Sequence, residues 1–553
     1  MNKKIKKQLR LFIIFSIIFL LITQSLTLIS PLIMKNIIDD YIPNKNIDKL
    51  VIGILFFIFI PLMYTLLNVT YNYFTIKYAR NKGNEISIQI LKNIINQKKD
   101  FFDKYNSVEL LTYSSKEAVS YINFWISDFS RFIVSIIISV IVLIIIFFIN
   151  PFIGLLQLLY IPILLLPSKF LGKKMTPLVK TVVDNNAKIS QIRSDIIKGI
   201  EYVKTMRLED KKISEVDSMN KKIVNIWGKV TVIDSLTGIW SSGFASLLFT
   251  GLTFGLGSYM IISQTPSFPM TVGLLVSLLG YTSKYYSNVN SILSTNLNLK
   301  KKNAENEKLF SFYELIGEED EKNKKNLTDF NKININDCSF SYNDEKEILS
   351  NITLEIPKGT WVGIVGESGS GKSTLLNLIL KIYSIEDNMI FFDGNDINDL
   401  SCFSIRDNIT KVSQDIFMFP GTLIDNILLK ELLNKLSPRD INDAMQIACL
   451  NEYIKKLPNG LDTPAGEAGK LMSGGEKQRF SLVQSLLTKK RILLLDEITS
   501  NLDMDTESAI RDNLNNLVKN EGYTIVSVSH RIEFLQNASI IYEIKNGKIH
   551  SIQ

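Results

Sequence analysis

Apolar residues are concentrated in roughly the first 300 positions of the chain, whereas later positions alternate short apolar runs with charged segments. Four long runs in the first part carry no charged side chain, and they cover residues 11–34, 51–76, 132–168 and 235–283. A helix of about 20 apolar residues is long enough to cross the hydrocarbon core of a bilayer. The pattern therefore predicts a helical membrane domain followed by a water-exposed domain.

The third and fourth runs are too long for one crossing each, and each contains a break that favours a turn. Asn150 and Pro151 interrupt the third run, and Pro266 and Pro269 interrupt the fourth. Proline lacks a backbone N–H and ends or kinks a helix. We therefore predict six spanning helices, at about 11–34, 51–76, 132–149, 152–168, 235–263 and 270–292.

Positive charge is distributed unevenly among the connections between these helices. Residues 77–131 and 169–234 carry many charges of both signs, whereas the breaks near Pro151 and Pro266 carry none. Cytoplasmic segments keep an excess of lysine and arginine. We therefore expect a multi-pass cell-membrane protein with both termini and the water-exposed domain in the cytoplasm.

The two long connections could extend the spanning helices far beyond the bilayer, because a helix rises about 1.5 Å per residue. Ile86, Ile90 and Ile94 recur at helical spacing within the first connection. Long helical extensions are therefore the preferred interpretation, and two solvated loops are the alternative.

The chain after the last apolar run divides at a polar, charge-rich stretch without an apolar face. We place the membrane domain at residues 1–310, a linker at 311–332 and a second domain at 333–553. Three short runs of the second domain are rich in Val, Ile and Leu: Trp361–Val365, Arg491–Leu495 and Thr524–Ser529. Such runs are typical of parallel strands buried on both faces, and ligands bind at the carboxyl ends of such strands.

Composition narrows the partners of the chain. The net charge is +7, but the excess begins with a basic cluster between Lys3 and Arg10, directly before an apolar run, where it sets membrane topology. We therefore expect a lipid bilayer and no nucleic acid as partner. The spacing of Cys338, Cys402 and Cys449 fits neither a disulfide framework nor a zinc site, so we interpret them as packing residues.

The strongest motif is Gly366-Glu-Ser-Gly-Ser-Gly371-Lys372-Ser373-Thr374, which follows a predicted strand and precedes the helical pattern of Leu375–Leu380. In such a loop, glycines let backbone N–H groups wrap the phosphates of a nucleotide. The lysine reaches the β and γ oxygens, and the next hydroxyl ligates Mg²⁺. The sequence therefore predicts a P-loop site for ATP and Mg²⁺, with Lys372 and Ser373 in these two roles.

Two carboxylates follow another apolar strand, because Asp496 and Glu497 come directly after Ile492–Leu495. A strand buried on both faces rarely ends in two acids without a cation nearby, although an exposed acid pair is the alternative. We expect Asp496 to hold Mg²⁺ and Glu497 to act as the base for a water molecule.

A third motif is Ser473-Gly474-Gly475-Glu476, a turn that opens a helix and presents backbone N–H groups to an anion. This motif resembles the LSGGQ signature of the ATP-binding cassette (ABC) family. The P-loop and the paired carboxylates add to the resemblance. Met472 replaces the leucine and Glu476 replaces the glutamine. The resemblance implies an α/β P-loop NTPase domain of the ABC type, whose signature binds the γ-phosphate held by the partner's P-loop.

The resemblance also implies roles for individual residues. Tyr342 resembles the aromatic that stacks on adenine, and an ordinary core aromatic is the alternative. His530 resembles the switch histidine, and Ser500-Asn-Leu-Asp503 resembles the D-loop with Asn501 in place of alanine. The implied ATP contacts are Tyr342, Gly366, Ser368, Gly369, Gly371, Lys372, Ser373, Thr374, Ser473, Gly474, Gly475, Glu476 and Asp503. The implied catalytic residues are Glu497, His530 and Gln414, and the implied Mg²⁺ ligands are Ser373, Gln414 and Asp496.

The membrane half is similar to the exporter branch of the same family. Residues 101–104 and 200–204 resemble the segments leading into the helices that dock on the ATPase domain. Residues 463–469 resemble the exporter loop before the signature, although Pro464 and Ala465 are unusual there. These similarities favour export over import.

The resemblance further implies a half-transporter whose ATP sites are completed only by a second chain. A homodimer is favoured because the residues of a competent site are all present, and a heterodimer stays open as the alternative. The predicted spans offer few polar groups and no charge, which favours an amphipathic cargo: a peptide such as a bacteriocin, a lipid or a hydrophobic drug. The excess of Ile, Asn and Lys suggests a bacterial plasma membrane.

Two other functions on the same scaffold stay open. An importer or ATP-gated conductance differs in the direction and the ATP dependence of flux. A non-transporting sensor or assembly ATPase differs because no hydrophobic cargo would stimulate its ATP turnover.

Overall fold

The computed structural model describes residues 3–264, 269–317, 324–342, 347–413, 416–427, 436–465, 472–499 and 502–552. Contacts within the chain divide it into two compact units. Unit 1 comprises Met1–Ile95 and Tyr105–Ile316, and unit 2 comprises Asn96–Lys104 and Gly317–Gln553. The short segment Asn96–Lys104 therefore belongs to unit 2, although the chain on either side of it belongs to unit 1.

Unit 1 is helical throughout its described ordered elements. Its helices are α1 (Lys3–Leu26), α2 (Ile29–Asn36), α3 (Ile47–Ile95), α5 (Ser107–Thr112), α6 (Ala118–Asn123), α7 (Phe129–Ile149), α8 (Pro151–Leu158), α9 (Tyr160–Lys198), α10 (Ile200–Thr205), α11 (Glu209–Gly238), α12 (Ser246–Ser263) and α13 (Val272–Tyr313), with α4 (Lys99–Lys104) in unit 2. Short π-helical segments continue four of them, at Ile37–Tyr41, Tyr113–Glu117, Phe124–Asp128 and Ile239–Ala245.

Four helical stretches among the described residues are long and apolar enough to cross a membrane. They are Leu9–Tyr41, Ile47–Ile95, Ser107–Ile149 and Glu209–Ser263, and Pro151–Leu165 is a shorter apolar helix. The last predicted run lies at the start of α13, which is not among the four. The structure thus has a helical membrane region, and the number of six crossings stays a prediction.

Local chemistry explains where two of these helices begin. The side-chain oxygen of Asn150 accepts hydrogen bonds from two backbone N–H groups at the start of α8, and Pro151 occupies its first position. Thr271 caps α13 in the same way, by accepting from the N–H of Leu274 at 3.1 Å. Pro61, in contrast, lies inside the long helix α3.

The long charged connections are helical rather than looped. Residues 77–95 continue α3, and residues 169–198 continue α9. α11 packs along α9 through a small apolar cluster that includes Val182, Ile189 and Ile223. The predicted long helical extensions are therefore confirmed.

The apolar core of unit 1 coexists with an apolar surface. Tyr160, Phe249 and Tyr285 are fully buried in one cluster, while large side chains such as Phe56 and Phe59 on α3 are exposed. A water-soluble protein rarely exposes so many large apolar side chains along one helix. This surface suits contact with hydrocarbon, which is the environment that the sequence pattern predicts.

Unit 1 also contains a polar cavity of about 310 Å³. It is lined from α1, α3, α7 and α13, and its lining includes the side chains of Arg131 and Lys284. Lys284 lies within the predicted span 270–292. The expectation that the spans carry no charge is therefore wrong at this position, because the lysine faces a polar cavity rather than lipid.

Unit 2 is built on two sheets. Its strands are β1 (Lys332–Phe340), β2 (Leu349–Pro357), β3 (Trp361–Gly366), β4 (Ile390–Phe392), β5 (Asn395–Asp396), β6 (Ile409–Val412), β7 (Ile492–Asp496), β8 (Thr524–Ser529), β9 (Ile540–Lys545) and β10 (Lys548–Ser551). The smaller sheet is antiparallel, in the order β2-β1-β4-β5, and the larger sheet has the order β10-β9-β3-β8-β7-β6. In the larger sheet, β9, β3, β8, β7 and β6 run parallel.

Apolar side chains cover both faces of the larger sheet. On β7, Leu493 and Leu495 belong to one buried cluster, and Ile492 and Leu494 belong to the other. Because successive side chains of a strand point to opposite faces, this alternation leaves no polar position on the strand before Asp496 at its end. The structure confirms the three predicted strands as central strands of the sheet, although the second begins at Ile492 because Arg491 is exposed outside it.

The helices of unit 2 surround this sheet. They are α4 (Lys99–Lys104), α14 (Lys372–Ile379), α15 (Cys402–Asn408), α16 (Leu423–Ile427), α17 (Pro438–Ile447), α18 (Asn451–Lys456), α19 (Gly474–Leu487) and α20 (Met504–Glu521). The observed α/β domain is the P-loop NTPase fold that the motifs predict.

Candidate functional site

Three neighbouring parallel strands end at the same edge of the larger sheet. β8 lies between β3 and β7, with Val365 paired to Ser529 and Asp496 paired to Val528. The P-loop follows β3, His530 follows β8, and Glu497 follows β7. The topology therefore brings together three of the motifs that the sequence separates widely.

The P-loop backbone has a shape that only glycine accepts at two positions. Gly369 and Gly371 have φ angles of +79° and +100°. A side chain at Gly371 would also meet Leu349 at 2.6 Å, and one at Gly366 would collide with the carbonyl oxygen of Ile544. Gly371 leads directly into α14, whose first N–H groups form an anion site at the helix start.

Lys372 lies folded over this loop. Its ammonium group donates hydrogen bonds to the carbonyl oxygens of Gly366 and Glu367, both at 2.8 Å. Only 4% of its side chain is exposed, and Nζ lies 3.8 Å from Oε1 of Glu497. The lysine thus places a fixed positive charge between the loop and the carboxylate at the end of β7.

Ser373 and Asp496 present oxygen atoms to the same point. The hydroxyl of Ser373 donates to Oδ1 of Asp496 at 2.7 Å. Mg²⁺ prefers oxygen ligands and binds through one or two protein oxygens together with substrate phosphates. This pair of oxygens beside the start of α14 fits such an ion.

Glu497 is held in an unusual backbone conformation. Its φ angle is +51°, its N–H donates to the carbonyl of Val528 at 3.1 Å, and its carbonyl accepts from Gln478 Nε2 at 3.3 Å. Non-glycine residues adopt positive φ at some energetic cost, and such strain is common at active sites. The side chain is 16% exposed, so it reaches solvent at the sheet edge. A carboxylate in this position can accept a proton from a water molecule.

Lys411 is a functional candidate that the sequence analysis missed. It lies on β6, and its Nζ is 2.9 Å from Oδ2 of Asp496 and 2.9 Å from Oδ1 of Asn377. The two charged side chains are only 11% and 4% exposed. The lysine therefore neutralises the carboxylate oxygen that Ser373 does not contact. A lysine inside the apolar strand Ile409–Val412 was the available signal.

Tyr342 lies beside the P-loop helix rather than in the core. The residue is 41% exposed, and its hydroxyl is 2.8 Å from Oγ1 of Thr374. Its ring also makes an edge contact with Tyr383, at 5.0 Å between ring centroids. Tyr342 is therefore not an ordinary core aromatic, and its role as the aromatic that stacks on adenine stays a prediction.

Tyr383 connects this aromatic pair with the segment Asn96–Lys104. Its hydroxyl donates to Asp103 at 3.1 Å. Burial, and next the hydrogen bond to Asp103, raise the pKa of Tyr383, so the phenol stays protonated and keeps donating to the carboxylate. The rings of Tyr342 and Tyr383 thereby link the P-loop helix α14 to α4.

Two further hydrogen bonds, one to a backbone carbonyl and one to a side-chain carboxylate, hold the same segment on the rest of unit 2. The N–H of Lys99 donates to the carbonyl of Ile382 at 3.0 Å, and the N–H of Ser384 donates to Asp100 at 2.9 Å. The resemblance implies docking near residues 101–104, and the structure shows α4 docked on the loop after α14.

The signature residues begin α19. Ser473 caps this helix, and Glu476 completes a capping box by accepting from the N–H of Ser473 at 2.7 Å. Gly474 is exposed and Gly475 is buried. Among the described residues, no hydrogen bond or ion pair joins these four residues to the P-loop. Within one chain, the two motifs therefore belong to separate surfaces.

The remaining predicted site residues have diverse positions. Asp503 caps α20, and the N–H and hydroxyl of Thr506 lower the pKa of its carboxyl. His530 and Ser368 are exposed at the sheet edge and in the P-loop. β6 ends at Val412, but Gln414 lies outside the described residues, as do Ser500 and Asn501.

The fold and the site together define a membrane protein that carries its own ATP-hydrolysing domain. Residues 13–287 match the family described as ABC transporter transmembrane region, and residues 349–500 match the family described as ABC transporter. The chain belongs to the ABC transporter family, and it joins one membrane region to one ATPase domain in the arrangement of a half-transporter. It is an ATP hydrolase coupled to transmembrane transport.

Individual relatives agree with this assignment. An ATP-dependent lipid A-core flippase of Desulfotalea psychrophila is 31% identical over 409 residues, which cover 73% of this chain and 69% of the flippase. A Staphylococcus aureus protein provisionally named a multidrug export ATP-binding/permease protein is 29% identical over 572 residues, with 97% and 93% coverage. A solved bacterial Atm1-family ABC exporter with ATP bound has the same fold, with a TM-score of 0.83 over 98% of this chain and 94% of that chain, at 20% identity.

Replacing Lys411 by Met tests the buried ion pair. The substitution leaves Asp496 buried without its cation, so we expect nucleotide-free unfolding to become easier by about 3 kcal/mol. Mg²⁺ with ATP would bring a new cation to the same carboxylate. The substitution should therefore cost less free energy of unfolding when both are present. Thermal unfolding of the purified chain, with and without Mg²⁺ and ATP, measures both effects.

Lys455→Met is the matched control, because Lys455 pairs with Glu452 on the surface, where it is 73% exposed. Adding Asp496→Asn to Lys411→Met should recover stability, since no unpaired charge then remains buried. Equal unfolding temperatures for wild type and Lys411→Met would contradict the assignment of Lys411 and Asp496 as a buried ion pair.

Proposed function

We propose that two copies of this chain form an ATP-driven exporter of an amphipathic substrate in a bacterial plasma membrane. The observation that carries the proposal is the convergence of Lys372, Ser373, Asp496 and Glu497 at one sheet edge, in a chain that also has a helical membrane region. This group of residues can bind a nucleotide triphosphate and activate water beside it. The apolar first half provides the part that such an ATPase would drive.

ATP binding follows from the geometry of the P-loop. The triphosphate lies along the N–H groups at the start of α14, Lys372 contacts the terminal phosphates, and Tyr342 stacks on the base. Ser373 and Asp496 would hold Mg²⁺, which would offset the charge on the phosphates. Glu497 takes a proton from the attacking water, and His530 contacts the terminal phosphate from the neighbouring strand end.

A second chain completes each site. The start of α19 presents N–H groups and the positive end of a helix dipole, which suit the γ-phosphate of an ATP bound to the partner. ATP then acts as a contact that closes two ATPase domains, and hydrolysis removes it. A homodimer is the simpler assembly, because one chain supplies both halves of the site.

Two short helices provide places where this closure can reach the membrane helices. α4 is hydrogen-bonded to the loop after α14 and is continuous in sequence with the long helix α3. α10, between α9 and α11, exposes Ile200 and Tyr202. We assign this apolar surface to contact with an ATPase domain, as the resemblance to exporters implies.

The direction and cargo of transport rest on the relatives. One is named a flippase and another carries a provisional export name, and this supports movement out of the cytoplasm with ATP bound on the cytoplasmic side. An importer or ATP-gated conductance predicts flux in the other direction or without ATP turnover. A sensor ATPase predicts turnover that no cargo changes.

Replacing Glu497 by Gln tests the proposed chemistry. The amide cannot accept the proton of water, so we expect ATP turnover to fall about 100-fold or more while ATP still binds. Phosphate release by the purified chain in lipid nanodiscs measures this, with peptides, lipids and dyes added in turn. Glu452→Gln, at a side chain that is 79% exposed, is the matched control. Unchanged turnover in Glu497→Gln would overturn the role of this residue.

Replacing Glu476 by Gln tests the contact of the signature with a partner's phosphate. The amide oxygen can keep the hydrogen bond to the N–H of Ser473, but the negative charge near the γ-phosphate is gone. We therefore expect ATP to bind a few-fold more tightly to the dimer, with a larger gain at low salt than at high salt. Nucleotide titration at two salt concentrations measures it, and weaker or salt-independent binding would contradict the contact.

Replacing Tyr383 by Phe tests the link between α4 and Tyr342, the residue proposed to stack on the adenine of ATP. The ring contact with Tyr342 stays, but the hydrogen bond to Asp103 is lost. We expect ATP turnover without cargo to change less than about twofold, because the contacts to phosphate are untouched, and stimulation by cargo to decrease. Tyr523→Phe, at a buried tyrosine before the amino end of β8, is the control. Full stimulation in Tyr383→Phe would exclude this route.

A further inference from the structure

The polar cavity of unit 1 contains two positive charges on separate helices. Lys284 on α13 and Arg131 on α7 line a space of about 310 Å³, and these two helices pack against each other. None of the described residues that line the cavity is an aspartate or glutamate. The cavity therefore has a net positive lining within a largely apolar unit.

Lys284 is the more unusual of the two. It is half-buried, and its ammonium group has no hydrogen-bond or ion-pair partner among the described residues of the chain. Arg131 has one, since its guanidinium donates to Oδ1 of Asn72 at 3.0 Å. A partly desolvated cation without a partner is energetically unfavourable in a membrane protein, so its usual explanation is a ligand or a moving charge.

The other side chains of the cavity add hydrogen-bonding groups. Gln24 donates to the hydroxyl of Tyr64 at 3.3 Å, which leaves the Tyr64 proton available as a donor. Asn68 and Asn288 also line the space. Lysine or arginine that merely anchors a helix turns its head group toward the membrane surface, whereas the half-buried Lys284 and the exposed Arg131 line one half-open cavity together with amides and hydroxyls.

We propose that this cavity binds the phosphate group of the transported amphiphile, with Lys284 and Arg131 as its counter-charges. The inference rests on the proposed export function and names the substrate class: an amphiphile whose head group is a phosphate ester. A phosphate monoester carries nearly two negative charges and three acceptor oxygens, which match two cations and several donors better than a single carboxylate does.

The size of the cavity agrees with a head group. Ligand sites for whole small molecules measure about 300–1,000 Å³, so a space of about 310 Å³ holds the polar part while the apolar tail lies outside it. The phosphate could belong to a lipid or to a free phosphate compound, and the experiment separates these two sources.

The test measures binding to the full chain in nanodiscs of zwitterionic lipid. The probes are short-chain phosphatidic acid, short-chain phosphatidylcholine and inorganic phosphate. We expect phosphatidic acid to bind at least tenfold more tightly than phosphatidylcholine, and inorganic phosphate to compete only weakly. Equal binding of the two lipids overturns the proposal, and so does inorganic phosphate competing as well as phosphatidic acid.

Variants then assign the selectivity to the cations. Lys284→Gln and Arg131→Gln should each reduce phosphatidic acid binding at least tenfold, whereas Lys284→Arg should keep it. The control is Lys229→Gln, at an exposed lysine of α11, which should leave binding unchanged. If Lys284→Gln does not fold, the test rests on wild type and Arg131→Gln, compared for their preference for phosphatidic acid over phosphatidylcholine. Loss of the dimer with unchanged binding in Lys284→Gln would overturn the proposal by showing that Lys284 pairs with a second copy.

ATP turnover separates the failure of this inference from the failure of the proposed function. In one outcome, neutral dyes stimulate ATP turnover equally in wild type and Lys284→Gln while neither prefers phosphate-bearing lipids. That result would retain the exporter function and overturn the phosphate site. Selective binding of phosphatidic acid without any cargo-stimulated turnover would retain the site and overturn export.

Discussion

The burial of β3, β8 and β7 on both faces is the constraint on which the ATP site depends. Every residue of β7 and β8 is buried, so no functional polar side chain can extend sideways from either strand into solvent. Chemistry can appear only where the strands end, and the parallel pairing puts these ends side by side. The P-loop, the carboxylate pair and His530 are close to one another because the apolar core leaves them one shared edge.

The same low-dielectric surroundings make charge compensation necessary. Asp496 ends a fully buried strand, and it is balanced by Lys411 on one oxygen and by the hydroxyl of Ser373 on the other. Lys372 is likewise satisfied by two carbonyl oxygens of its own loop. A cation or phosphate that enters this site exchanges contacts within a network that is already balanced, which suits a binding event that must be reversed in every cycle.

Motifs in sequence predicted the P-loop, the carboxylates and the helical membrane region, because each is specified by neighbouring residues. Lys411 was not predicted, since its partner Asp496 is distant in sequence and only the pairing of β6 with β7 joins them. The docking of α4 on the loop after α14 combines one backbone hydrogen bond with bonds to the carboxylates of Asp100 and Asp103, whose partners are distant in sequence, so no local motif marks it. Lys284 was overlooked because one charge changes the apolar character of a run only slightly.

Directional flux tests the central claim most directly. Proteoliposomes containing the chain would receive ATP only on the side of the exposed ATPase domains, and a fluorescent amphiphile would be followed across the bilayer with time. The account predicts that the amphiphile moves away from the ATP side, and only while ATP is hydrolysed. ATP hydrolysis at a normal rate without any directed movement of the amphiphile would contradict it.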